Sequence, residues 1–247
     1  MGKILAPIYG IFAYTIYLIA SLYLFGFLGN FLVPKSISSG TDGPLGQAIT
    51  INLLLLSLFA IQHSLMARES FKKWLTSFMN PAIERSTYVL MSSLVLLLLF
   101  WQWQPIPIVL WEVKSEVIYL IIMGLFGLGW VIVLASTYMI NHFELTGLEQ
   151  IYDYLKSNKP KGPNFQINYL YKFVRHPLML GFLIVFWATP YMTFGHLLFT
   201  VVMTIYIFLS VKYLEEKDLR KSIGKEYEDY QEKVPMIIPF TKRNKNN

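Results

Sequence analysis

The run LAPIYGIFAYTIYLIASLYLFGFLGNFL, residues 5–32, contains no charged residue. About 20 consecutive apolar residues suffice to cross the hydrocarbon core of a bilayer. In that solvent every backbone N–H and C=O must be paired within the segment, which leaves a helix as the simplest solution. Further runs of this kind span about 48–66, from Thr87 to the FWQWQPIP motif, and about 117–140. The chain carries 15% charged residues, against roughly 25% in soluble domains. These features predict an all-α integral membrane protein of five to six transmembrane helices, including a C-terminal helical hairpin, plus a cytoplasmic amphipathic C-terminal helix.

No linker or repeat divides the 247 residues, so a single domain is expected. Within it, 1–140 supplies four spans, 141–240 a hairpin and an amphipathic helix, and 241–247 a basic tail. The apolar N-terminal run lacks a small-residue cleavage site and is expected not to be a signal peptide. There is no cysteine, which excludes disulfides, thiolate metal sites and a cysteine nucleophile. No H-E-x-x-H or other tight ligand set appears, so no metal is expected.

Positive charge gathers at Arg68, Lys72, Lys73 and Arg85, at Lys156, Lys159, Lys161, Lys172 and Arg175, and in the tail TKRNKNN. This pattern fits topology better than a nucleic-acid surface. By the positive-inside rule the three regions and both termini face the cytoplasm, in a bacterium across the inner membrane. The tryptophans of FWQWQPIP suit an interfacial aromatic belt.

From Pro177 to Leu214 two apolar arms break around Pro190 to Gly195. Each arm is short for a crossing, so a re-entrant hairpin and two ordinary spans both fit. Up-and-back geometry brings RHP at the entrance level with YLEEKDL at the exit. Arg175, His176, Glu215 and Glu216 are then neighbours despite their separation in sequence. Pro177 suits a first helical turn, whose free amides favour an anion. Interfacial anchoring by Arg175 and His176, with Glu215 and Glu216 paired along their own helix, explains the same residues. Beyond the hairpin, Leu219, Ile223, Tyr227, Tyr230 and Val234 form one helical stripe, ended by Pro235 and Pro239.

Gln62, His63 and Ser64 sit inside an apolar span, where polar residues serve either function or helix–helix bonding. His142 and Glu144 stand where the fourth span leaves the membrane, as a site or as a polar cap. His196 is read as an interface residue.

YKFVRHPLMLG followed by EEKDLRKSIGKEYEDYQEKVPMIIPF resembles the C-terminal signature of the membrane methyltransferases related to isoprenylcysteine carboxyl methyltransferase and phospholipid methyltransferases. Met179 stands where that superfamily carries a tyrosine, so the tyrosine's part is not carried over. IQHSLMAR, PAIERSTYVLMSSLVLLLLFWQWQPIP and INHFELTGLEQIY resemble the NnrU-like methanethiol S-methyltransferase branch. Together the likeness runs from about Gln62 to Phe240.

The resemblance implies S-adenosylmethionine (SAM) as methyl donor, methanethiol as substrate and dimethyl sulfide as product. Cofactor contacts are expected at Tyr171, Arg175, His176, Pro177, Leu180, Tyr213, Glu215 and Glu216, with Phe173 and Leu214 beside them. His142 and Glu144, then His63 and Tyr88, are the expected catalytic groups. A related enzyme acting on another thiol, an isoprenylcysteine or a phospholipid amine is the alternative within the class. A non-catalytic accessory protein or a haem carrier using His63, His142 and His176 are the alternatives outside it.

Overall fold

The computed structural model describes residues 2, 4–41, 43–158 and 167–241. Lys159, Lys161 and nearly all of the basic tail lie outside the described residues. Among the described residues, five helices are long and apolar enough to cross a membrane: Leu5–Gly29, Leu45–Met66, Pro81–Gln102, Glu116–Ile140 and Phe194–Ile223. The protein is an integral membrane protein. Its contacts fall into two compact units, each assembled from three separated stretches.

The first unit comprises Met1–Glu112, His142–Pro160 and Tyr191–Val202. It contains α1 (Leu5–Gly29), α2 (Leu45–Met66), α3 (Glu69–Thr76) and α4 (Glu84–Gln102). Ala6, Ala13, Ala20 and Phe27 of α1 recur at every seventh position and are all buried. Small side chains on one face let backbones approach where apolar lipid gives helices little reason to associate. Asn52, fully buried on α2, donates to the Gln104 carbonyl at 2.7 Å and accepts from the Gln104 amide at 2.9 Å. That reciprocal pair satisfies an amide that would otherwise be costly inside an apolar segment.

Trp101 is exposed and suits an interfacial position, but Trp103 corrects the aromatic-belt expectation. It is fully buried, donates from Nε1 to the Ile37 carbonyl at 3.0 Å and meets Phe27 and Phe199 edge-on. With an internal partner for its indole N–H, the ring belongs to the core. Just beyond it, β1 (Val109–Glu112) pairs antiparallel with β2 (Tyr191–Thr193), matching Val109 with Thr193 and Glu112 with Tyr191.

The polar segment after residue 140 folds as α6 (His142–Thr146) and α7 (Leu148–Lys156). Ile151 of α7 packs with Ala6 and Ile83, which is enough apolar burial to hold so short a helix.

The second unit comprises Val113–Asn141, Lys161–Pro190 and Met203–Asn247. Here α5 (Glu116–Ile140) packs against α8 (Pro177–Trp187). Their backbones meet at Gly129 and Gly181: a Cβ on Gly181 would lie 2.8 Å from the Gly129 carbonyl oxygen and 2.9 Å from the Val133 nitrogen. With 11 residues, α8 is roughly 16 Å long and falls short of a hydrocarbon core of about 30 Å. The hairpin is therefore asymmetric, with one short arm and one long one.

The long arm begins with α9 (Phe194–Ser210), passes through a π-helical turn at Val211–Glu215 and continues as α10 (Glu216–Ile223). The expected single amphipathic helix is two helices, because Gly224 takes φ 76° between α10 and α11 (Lys225–Lys233). The stripe survives the bend: Tyr227, Tyr230 and Val234 form a buried cluster with Leu219 and Ile223 against it.

Gly181→Ala is expected to destabilise the protein by about 1–3 kcal/mol through overpacking. Gly124 lies on the same helix as Gly129, but a Cβ there would meet no atom within 4 Å. Gly124→Ala is therefore expected to leave stability unchanged or raise it. Thermal unfolding in detergent checks both.

Candidate functional site

In the second unit the chain reaches α8 through a 3₁₀ turn at Tyr169–Lys172, and Pro177 occupies the first turn of α8 with His176 as its cap. The π-helical turn ends at Glu215, immediately before Glu216 opens α10. One extra residue per turn rotates α10 about the axis of α9, and such bulges recur at functional sites. Both carboxylates here contact the entrance of α8, as the hairpin geometry predicts.

Arg175 Nε donates to Glu216 Oε1 at 2.6 Å, and its Nη2 lies 2.5 Å from the same oxygen. Its Nη1 donates to the carbonyls of Gln231, at 3.2 Å, and of Val234. Gln231 Nε2 donates to Glu216 Oε2 at 3.0 Å. The backbone N–H groups of Arg175 and His176 donate to the carbonyls of Pro235 and Met236 at 2.9 and 3.0 Å. The sequence V-P-M-I-I-P is thus a strap tied to the R-H dipeptide by backbone and side chain together.

His176 is 6% exposed and places Nε2 3.2 Å from Glu216 Oε1 and Nδ1 3.4 Å from Glu215 Oε1. A ring with carboxylates on both sides donates to both only when doubly protonated. Burial alone lowers the His176 pKa, but hydrogen bonds and charge from Glu215 and Glu216 outweigh it and push the value up to about 9. Glu216 is buried, whereas the Glu215 side chain is 46% exposed. Burial, followed by the Glu215 charge, raises the pKa of the half-buried Tyr171, whose carbonyl accepts from the Tyr230 hydroxyl at 2.5 Å. Leu180 is half-buried, while Phe173 and Tyr213 are exposed.

Two expectations change. Arg175 is 8% exposed and its donors go to Glu216 and two carbonyls, so it holds the strap and the carboxylate in position. The amides of Met179 and Leu180 both return to the His176 carbonyl, so the first turn of α8 has fewer amides for an anion than its sequence suggests.

In the first unit, His142 is buried and its Nε2 lies 2.9 Å from the Tyr14 hydroxyl. Tyr14, Tyr17 and Phe143 surround the ring, and burial lowers its pKa. Glu144 is exposed. His63 and Tyr88 come together, with the phenol 2.8 Å from Nε2 and Ser92 Oγ 3.3 Å from Nδ1. Arg85 stacks over the Tyr88 ring at 4.9 Å and donates to the Leu145 carbonyl at 2.8 Å. Tyr17 packs against the buried cluster of Met66, Tyr88 and Val89 and also faces His142. Gln231, Tyr14, Tyr17 and Ser92 join these clusters although none is among the expected site residues. For Tyr14 and Tyr17 the available signal is that they share one face of an otherwise apolar helix. Among the described residues, no group of three or more His, Asp or Glu side chains is placed to hold a metal.

A His176 pKa raised above the unfolded value of about 6.5 contributes stability that is complete below that pH. The contribution fades as pH rises through about 9. Thermal stability should therefore decline between about pH 7 and 10, and His176→Gln should remove that part of the decline.

The NnrU protein family profile matches residues 52–235. Methanethiol S-methyltransferase 1 of Bradyrhizobium diazoefficiens is 51% identical over 238 residues, covering 96% of this chain and 83% of the relative. The methanethiol S-methyltransferase of Mycobacterium tuberculosis is 47% identical, covering 98% of this chain and 99% of the relative. Nurim of Bos taurus is 33% identical, covering 70% of each. No solved structure matches. The chain belongs to the NnrU family, among relatives named methanethiol S-methyltransferase.

Proposed function

We propose that this protein methylates methanethiol to dimethyl sulfide with SAM as the donor. The observation that carries the reading is near-half identity over essentially the whole chain to enzymes named for that reaction.

The second unit supplies a donor set that fits SAM. The amino-acid end of SAM is a zwitterion, and the cluster offers the His176 cation beside the half-exposed Glu215 carboxylate. Glu215 suits the ligand's ammonium or ribose hydroxyls, and the buried His176 cation, its two ring N–H groups held by Glu215 and Glu216, adds positive charge near the ligand carboxylate without donating to it. Arg175, Gln231 and Glu216 keep that pair in place, with Pro177 fixing the start of α8. Tyr171, Phe173 and Leu180, around the start of α8, and Tyr213 and Leu214, in the π-helical turn, are the candidates for the adenine face. When bound, SAM would supply a methyl carbon on a sulfonium, to which a sulfur nucleophile would bond as the old carbon–sulfur bond breaks and S-adenosylhomocysteine leaves.

The thiol must give up its proton, because the thiolate is the nucleophile and a thiol of pKa about 8.5 is mostly protonated at neutral pH. Burial keeps the His142 pKa low and its imidazole neutral at pH 7, which suits it to accept that proton. Tyr14 holds the ring through its hydroxyl. His63 with Tyr88 is the second proton-handling pair, and Glu144, being exposed, suits passing a proton on to solvent. The basic loops orient the R-H-P entrance and both termini toward the cytoplasm.

Purified protein given SAM and methanethiol should release dimethyl sulfide into the headspace and S-adenosylhomocysteine into solution in equal amounts. Gas chromatography that finds neither product rejects the reading.

A further inference from the structure

Gln62 lies within α2, half-buried, one residue before His63. Its Nε2 donates to Met66 Sδ at 3.0 Å and to Ser92 Oγ at 3.4 Å. Its Oε1 is buried and has no hydrogen-bond partner among the described residues. Turning the amide over exchanges the two ends but leaves one unmatched, because Ser92 reaches only one of them. A buried polar atom left open inside an apolar span is costly, and in a native protein it calls for a reason.

The surroundings restrict what fills the gap. Phe59 stacks on His63 at 5.3 Å, Tyr88 and Met66 form one buried cluster, and Tyr17 packs against it. A resident water needs two to four polar partners. Ser92 and Tyr88 are already engaged with His63, so Gln62 offers one open polar end against aromatic and thioether walls. A small alkanethiol has the complementary make-up: one weak S–H donor on an apolar body, with a sulfur that sits well beside aromatic rings.

We propose that Gln62, beside Ser92 and the His63–Tyr88 pair, forms a binding site for the sulfhydryl of a small alkanethiol, and that Gln62 is its recognition residue. This rests on the reaction proposed above and adds the place in the first unit where the thiol is recognised.

Gln62→Leu should raise the KM for methanethiol by about three- to tenfold, the worth of one modest hydrogen bond, with the KM for SAM unchanged. Gln62→Met keeps the length and apolar fit of the site and should behave the same if the leucine variant does not fold. An unchanged methanethiol KM in either variant overturns the proposal. Independently, methanethiol added to the wild-type protein saturated with S-adenosylhomocysteine should raise the melting temperature to a plateau. Absence of that plateau also overturns it. If the wild-type protein makes no dimethyl sulfide at all, it is the reaction that fails, not only the assignment of Gln62.

Discussion

Arg175 and Glu216 are both removed from water, and such a pair persists only when the remaining donors and acceptors are matched. Here they are. Glu216 receives Arg175, His176 and Gln231, while Arg175 also reaches two carbonyls, those of Gln231 near the end of α11 and Val234 just beyond it. Removing one partner of such a buried pair typically costs about 3–5 kcal/mol. The pair ties the strap in place, and its Glu216, together with Glu215, keeps the proton on His176. Since the cluster combines two cations with two carboxylates, its charges balance before any ligand arrives. A zwitterionic amino-acid group adds no net charge, which is a reason for such a mouth to accept one.

The first unit solves a different problem. His63, Tyr88, Ser92 and Gln62 are polar groups carried on helices that otherwise read as lipid-compatible, and they satisfy one another almost completely. Tyr17 links this group to the His142–Tyr14 pair. Polar groups at such depth are rare without a function, and the gap in their mutual pairing lies at Gln62.

Much of this is legible in the sequence. Uncharged runs of membrane length set the long helices, since few other structures satisfy a backbone in lipid. Two arms that rise and return place Arg175 and His176 beside Glu215 and Glu216 whatever the details of packing. The stripe from Leu219 to Val234 marks the buried face of the C-terminal segment. Other features depend on events that no local pattern encodes. The π-helical turn at Val211–Glu215 is a change of helical register without a distinctive residue. Trp103 needs the Ile37 carbonyl before its ring can leave the interface for the core. The helices α6 and α7 are short, and their stability comes from contacts such as Ile151 against Ala6 rather than from propensity. Gln231 looks like any polar residue on a solvated face until Arg175 and Glu216 are brought beside it.

The most direct test is whether the His176–Glu215 pair binds the amino-acid end of SAM, and calorimetric titration of S-adenosylhomocysteine reads this without turnover. Saturable binding to the wild-type protein at one site per chain is expected, weakened at least tenfold by Glu215→Gln and by His176→Gln in folded protein. Equal affinity in wild type and both variants would contradict it.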